Sequence, residues 1–295
     1  MNSSSGQPLI GGRSAGRAAQ WLTGALAALA TVSSVGGVFF ERRLYARDLP
    51  YLTAQVWTQD LAILVLLVPV LLVSYLRVRR GCVPATAAWL GTVVFLTYVY
   101  AFYGMTLHFS RMFLVHCLAL GAAVHLLAVA LLSIDAGRVR DWFGSRTART
   151  PAIAFLTLVP VVFAAVWLVD VIPSEIHDTL PEYAVTNGFI SSPVHLLDLG
   201  IFFPGLLIAG LLLRRRHPLG FLLAPTLLVF AVVMTSCLVE QSLVLTRRGF
   251  DEDLALTAAF GAVTAVGATI LVHLLRHPRS RVRPGPDQVI ATRAG

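Results

Sequence analysis

The chain contains no lysine: all 23 of its basic side chains are arginine. A retinal Schiff base, a lysine nucleophile and a pyridoxal-phosphate linkage are therefore excluded. Charge of any kind is scarce, with 13% of 295 residues charged and 57% hydrophobic, far from the composition of a soluble domain. Cysteine is equally sparse. Cys82, Cys117 and Cys237 form no CxxC and no metal-ligand spacing. Cys117 and Cys237 fall at similar depth, but without thiol motifs they read as inert thiols rather than a disulfide. Also missing are a P-loop, a dinucleotide fingerprint, a nucleophile elbow and an HExxH motif, which removes the familiar ATP-driven and hydrolytic chemistries. Haem is discouraged by geometry. His116 and His125 stand nine residues apart, about 180° around an α-helix.

What the chain has instead is apolar residues in blocks of around twenty, enough to cross a hydrocarbon core of about 30 Å. The predicted spans are Ala18–Phe39, Asp60–Leu76, Thr86–Leu107, Phe113–Ile134, Ala152–Ile172, Val194–Leu213, Leu219–Glu240 and Leu254–Leu275. The fold class is therefore an all-α polytopic bundle of about eight transmembrane helices. It occupies 18–276, between tails over 1–17 and 277–295 whose Gly, Ser, Pro and Arg content predicts disorder. Arg13 and Arg17 ahead of Ala28-Leu29-Ala30 imitate a signal peptide. The apolar stretch continues to Phe40, which favours an uncleaved first helix. The second span is short and is expected to extend at its ends. Phe40–Gln59 reads as a loop able to lie in the membrane interface.

Arginine sets the orientation. The termini and even-numbered loops hold 17 arginines and the odd-numbered loops hold 6, so both termini are expected in the cytoplasm. Twelve of the fifteen acids fall on the opposite side. The basic residues thus flank spans, and the pI of 10.1 signals membrane orientation rather than nucleic acid. An all-arginine basic set fits a high-GC bacterial genome, and the expected location is the bacterial cytoplasmic (inner) membrane. Trp21, Trp89 and Trp142 on one boundary, and Trp57 and Trp167 on the other, read as aromatic belts, as do Tyr98, Tyr100 and Tyr103. Small residues at Ala258, Gly261, Ala262, Ala265 and Thr269 read as a close-packing face.

Ionisable groups near hydrocarbon are costly and rarely idle. Asp60, Asp170, Asp198 and Glu240 all belong to outer ends of spans, joined by His108, His116 and His195. Asp60 opens its predicted span and reads as a helix cap. Asp170 and Glu240 sit at helix C-termini, where reaching for water is the simpler account. Asp198 lies more than a turn inside a helix that Ser192 caps and Pro193 begins. His195 stands three residues earlier on the same face. Such a His-x-x-Asp pair suits a divalent metal, a proton relay, a bound cation, or a hydrogen bond that packs two helices. The expected outer site is therefore Asp198 and His195 with one or more of Asp60, Asp170 and Glu240.

Leu49-Pro50-Tyr51, Asp60-Leu61, Pro69, Arg77–Arg80 and Gly81 have counterparts in Leu180-Pro181, Tyr183, Asp198-Leu199, Pro204, Arg214–Arg216 and Gly220. A parallel 4+4 internal repeat follows, with Asp60 and Asp198 at equivalent heights. Orientation alone would also place an outer acid and inner arginines in each half. Gln59-Asp60-Leu61 with Pro69, and Leu197-Asp198-Leu199 with Pro204, Gly220 and Ala224-Pro225, resemble an uncharacterised family of actinobacterial-type multi-pass membrane proteins. That resemblance implies no activity. Three functions stay open. They are an accessory or scaffold protein with membrane-protein partners, a proton- or cation-linked transporter with an outward-facing acidic site, and an outward-facing metal-dependent enzyme using His195 and Asp198. A sealed interior would favour the scaffold, and a cavity open outward would favour binding or catalysis.

Overall fold

The computed structural model describes residues 9–143 and 149–276. The tail predicted at 277–295, the first eight residues and residues 144–148 lie outside the described residues. Eight helices among the described residues are long and apolar enough to cross a membrane: α1 (Arg13–Leu44), α2 (Pro50–Val78), α3 (Val83–Thr106), α4 (Phe113–Ser133), α5 (Thr150–Ile176), α6 (Pro193–Arg214), α7 (Pro218–Arg247) and α8 (Leu254–Leu275). The chain is an integral membrane protein, an all-α polytopic bundle. We call the two ends of the bundle the arginine-rich end and the acidic end.

Two boundaries differ from the hydropathy reading. Helix α1 starts at Arg13 and not Ala18, because the segment before it is anchored. Leu9 and Ile10 are buried, the Leu9 carbonyl accepts from Asp135 N–H, and Gly11 N–H donates to Ser133 O. Residues 9–17 thus belong to the fold. Helix α2 starts ten residues before Asp60, so Phe40–Gln59 is not an interfacial loop. Helix α1 runs on to Leu44, a short turn follows, and Pro50 opens α2. Thr58 and Gln59 are buried in this extension; their polarity hides it from a hydropathy window although they face protein rather than water.

The 4+4 repeat is visible in the backbone at a fixed offset of 135 residues. Pro69 and Pro204 each follow a single π-turn, Ile63–Leu67 and Asp198–Phe202. Proline lacks an N–H and its ring clashes with the carbonyl four residues back, and a π-bulge relieves both. Helices α2 and α6 then end alike. Gly81 and Arg216 adopt left-handed φ of 78° and 57°. Cys82 N–H reaches back to Arg77 O and His217 N–H to Leu212 O, the backbone closure of a Schellman motif. The next helices begin at Val83 and Pro218. Within each half every helix packs on the next and the fourth returns to the first.

The halves meet chiefly along α3 and α7, with α2 on α7 and α3 on α6 as the symmetric supporting contacts. Gly91 marks the axis. A Cβ there would stand 2.8 Å from Thr226 O and 2.5 Å from Val229 Cβ, and Thr226 is the residue equivalent to Gly91. Equivalent positions touch only where a two-fold axis passes between them. The same offset corrects the expected pairing of acids: Asp60 matches His195, and Asp198 matches Ile63.

The halves are filled differently. In the first, α1 packs closely on α4, and both bury small residues, Ala27 and Ala30 on α1 and Ala119 and Ala123 on α4. In the second, α5 and α8 touch only sparingly, near a stacked Phe163–Phe260 pair with centroids 5.6 Å apart. The small-residue face of α8 does not pack. Ala258, Ala262, Ala265 and Thr269 are exposed and Gly261 meets open space. Phe260, Gly267 and Leu274 face the bundle instead. Gly267 is needed there, since its Cβ would lie 2.9 Å from Val232 and 3.0 Å from Phe155. The aromatic-belt reading fails for Trp89 and the three tyrosines. Trp89, Tyr100 and Tyr103 are fully buried, and Tyr98 is nearly so.

Candidate functional site

The predicted outer acids separate into two places, one in each half. Asp60 is fully buried at the centre of the first. Its carboxylate accepts from Ser34 (3.3 Å), Tyr45 (3.3 Å) and Tyr103 (3.2 Å). Any side chain at Gly37 would overlap that carboxylate. Beside it His116 Nε2 lies 3.2 Å from Ser33 Oγ, under the rings of Tyr100 and Tyr103. Asp60 is thus not a cap. It is a hydrogen-bonded polar core that holds α1, α2 and α3 together.

The second half is open. A cavity of about 710 Å³ lies at its acidic end, among α2, α3 and the four helices α5–α8. Asp170, His195 and Asp198 all line it, so three of the five expected residues converge. Asp198 accepts a hydrogen bond from Trp167 Nε1 at 2.9 Å, and the Tyr98 hydroxyl faces the same carboxylate. His195 presents Nε2 to Asp170 Oδ2 at 4.0 Å, while its Nδ1 bonds the Ser192 hydroxyl. Ser192 occupies the N-cap position as expected, but its side chain serves the histidine rather than a backbone N–H. His195 and Asp198 are not paired with each other. Trp167 joins them, its ring edge-on to the imidazole at 5.1 Å and its N–H on the carboxylate.

The rest of the lining grades from polar to apolar. Glu252 accepts from Tyr51 (2.7 Å) and Ser242 (2.9 Å), and Gln241 donates to Gln59 (3.1 Å). Five carboxylates line the cavity (Asp170, Glu182, Asp198, Glu252 and Asp253) and no arginine does. Deeper, Phe163, Leu206, Phe230 and Phe260 form an apolar chamber. A cavity of this size and grading suits one small molecule with a positive group and a hydrophobic part.

No protein-family model, characterised protein or solved structure matches the chain.

The remaining predicted residues stay outside the cavity. Glu240 is half-buried on α7 and does not line it. His108 bonds Asp48 at 2.9 Å, and His116 belongs to the Asp60 cluster. His125 is exposed and its Nδ1 lies 2.7 Å from Gly121 O, facing away from His116 as their spacing required. All three cysteines are free, and Cys117 is exposed where Cys237 is buried. Among the described residues, no three His, Cys, Asp or Glu side chains are placed to share a metal ion. Sequence reasoning missed Trp167, Tyr98 and Tyr103 as site residues. The five-residue step from Tyr98 to Tyr103 was a readable signal, because it turns about 140° around a helix. It aims one tyrosine at Asp198 and the other at Asp60.

Proposed function

We propose that this protein binds a small cationic molecule at its acidic end and moves it across the membrane, as a proton- or cation-linked transporter does. The observation that carries the reading is the acidic cavity of the second half, set against the hydrogen-bonded burial of Asp60 in the first. Both halves share the same turns and helix order, so the fold does not require the opening. Only the second half combines it with Asp170, His195, Asp198 and a lining without arginine. Binding near the interface of two repeats, beside interrupted helices, is the arrangement of many transporters. The π-turn of α6 begins at Asp198 itself.

The accessory reading called for a sealed interior, and a cavity of this size counts against it. The metal-enzyme reading is weakened by a donor set that stops at two. The arginine bias supports a bacterial cytoplasmic membrane with both termini inside, which turns the cavity outward. The test is uptake of radiolabelled tetramethylammonium by proteoliposomes under an imposed proton gradient. Uptake should be saturable and lost in Asp198→Asn. Neither flux nor retained cation in the native protein would overturn the proposal.

A further inference from the structure

We infer that the molecule taken by this cavity is a single-chain cationic amphipath, which reaches the cavity sideways from the membrane between α5 and α8. This rests on the cation-binding reading above and adds the ligand's chain and its route. Three features of the cavity lead to it.

The first is the shape of the cavity. Its α5 wall runs from Asp170 down to Val159, about 16 Å along the helix, and its α7 wall from Leu245 to Phe230, about 22 Å. Carboxylates occupy one end and phenylalanine and aliphatic side chains the other. A compact cation fills only the mouth. A cation with one hydrocarbon chain fills both parts, and the volume of about 710 Å³ is that of a site for one drug-sized molecule rather than a two-chain lipid.

The second is the charge of the lining. Five carboxylates and no arginine line the cavity, which favours a cationic headgroup at the mouth and excludes an anionic one.

The third is the side wall. Val166, Val169 and Leu256 both line the cavity and are exposed on the outside of the bundle. They lie on the acidic-end side of the Phe163–Phe260 stack, on the two helices that barely touch. On that side the cavity is bordered by side chains that suit hydrocarbon. In the first half the equivalent pair, α1 and α4, packs closely.

The experiment uses the full chain in lipid nanodiscs and an alkyltrimethylammonium probe with a diazirine at the chain terminus. After illumination, adducts should map to the apolar chamber around Phe163, Leu206, Phe230 and Phe260. Unlabelled dodecyltrimethylammonium should compete them away. Val159→Trp and Met234→Trp, two independent ways to fill the chamber, should each abolish chamber labelling while the protein stays monodisperse and still binds tetramethylammonium. Val166→Trp with Leu256→Trp should slow labelling about tenfold, a modest added barrier, without changing its final extent. Adducts confined to lipid-facing residues, with tetramethylammonium still bound, would overturn the chain and leave the cation site standing. Loss of tetramethylammonium binding in the native protein would overturn both. An unchanged labelling rate in the doubly substituted protein would overturn the sideways route.

Discussion

Gly37 and Asp60 form a test of the closed half that can be worked out in numbers. A methyl at Gly37 must displace the Asp60 carboxylate, and overpacking of this kind costs about 1 to 3 kcal/mol. Asp60→Ala removes the acceptor shared by Ser34, Tyr45 and Tyr103. Buried hydroxyls left unpaired cost about 1 to 3 kcal/mol each. Tyr103 is partly relieved by Val56 O at 3.4 Å, so a net loss of about 3 to 5 kcal/mol is expected. In the double variant the new methyl enters the space that the carboxylate vacated. The Gly37→Ala penalty should then vanish, a coupling of about 1 to 3 kcal/mol. Asp60→Asn keeps the shape and one acceptor and should cost about 1 kcal/mol. Reversible unfolding of the purified protein in mixed micelles measures all four. Strict additivity of Gly37→Ala and Asp60→Ala would refute the contact, and an Asn variant as unstable as the Ala variant would refute the hydrogen-bonding account.

Three further outcomes are expected. Gly91→Val should destabilise the bundle by about 1 to 3 kcal/mol through the α3–α7 axis, while Gly261→Val, in open space, should leave unfolding unchanged. Trp167→Phe retains a ring against His195 but removes the donor to Asp198. It should weaken tetramethylammonium binding about tenfold, the worth of one charge-assisted hydrogen bond, with stability unaltered in the unfolding assay. A single cysteine introduced at Thr186, which is exposed near the cavity mouth, should react with an impermeant thiol reagent from outside intact cells when Cys82, Cys117 and Cys237 are replaced. A cysteine at Arg215 should not, and the reverse pattern would invert the orientation.

The membrane class, the eight spans and the repeat were legible because they depend on block hydrophobicity and on punctuation by proline and arginine. The length of α2 was not. Thr58, Gln59 and Asp60 are polar residues that face other helices, and a hydropathy window reads polarity as water exposure. Asp60 was read as a cap for the same reason, since its helix seemed to start there. The repeat was legible but its register was not. Matching acid to acid pairs Asp60 with Asp198, whereas the π-turns and left-handed residues pair Asp60 with His195. Small residues on α8 were misread because alanine and glycine suit both a helix seam and a lipid-facing surface. Which three of five acids and histidines converge depends on helix rotation about its axis, which neighbouring helices fix and local sequence does not.

The most direct measurement is calorimetric titration of tetramethylammonium into nanodiscs holding the native protein, Asp198→Asn or Asp60→Asn. The account predicts saturable binding to the native protein, loss of that binding in Asp198→Asn, and nearly native binding in Asp60→Asn, because Asp198 lines the acidic cavity and Asp60 does not. Equal loss in both variants, or binding that survives Asp198→Asn, would contradict it.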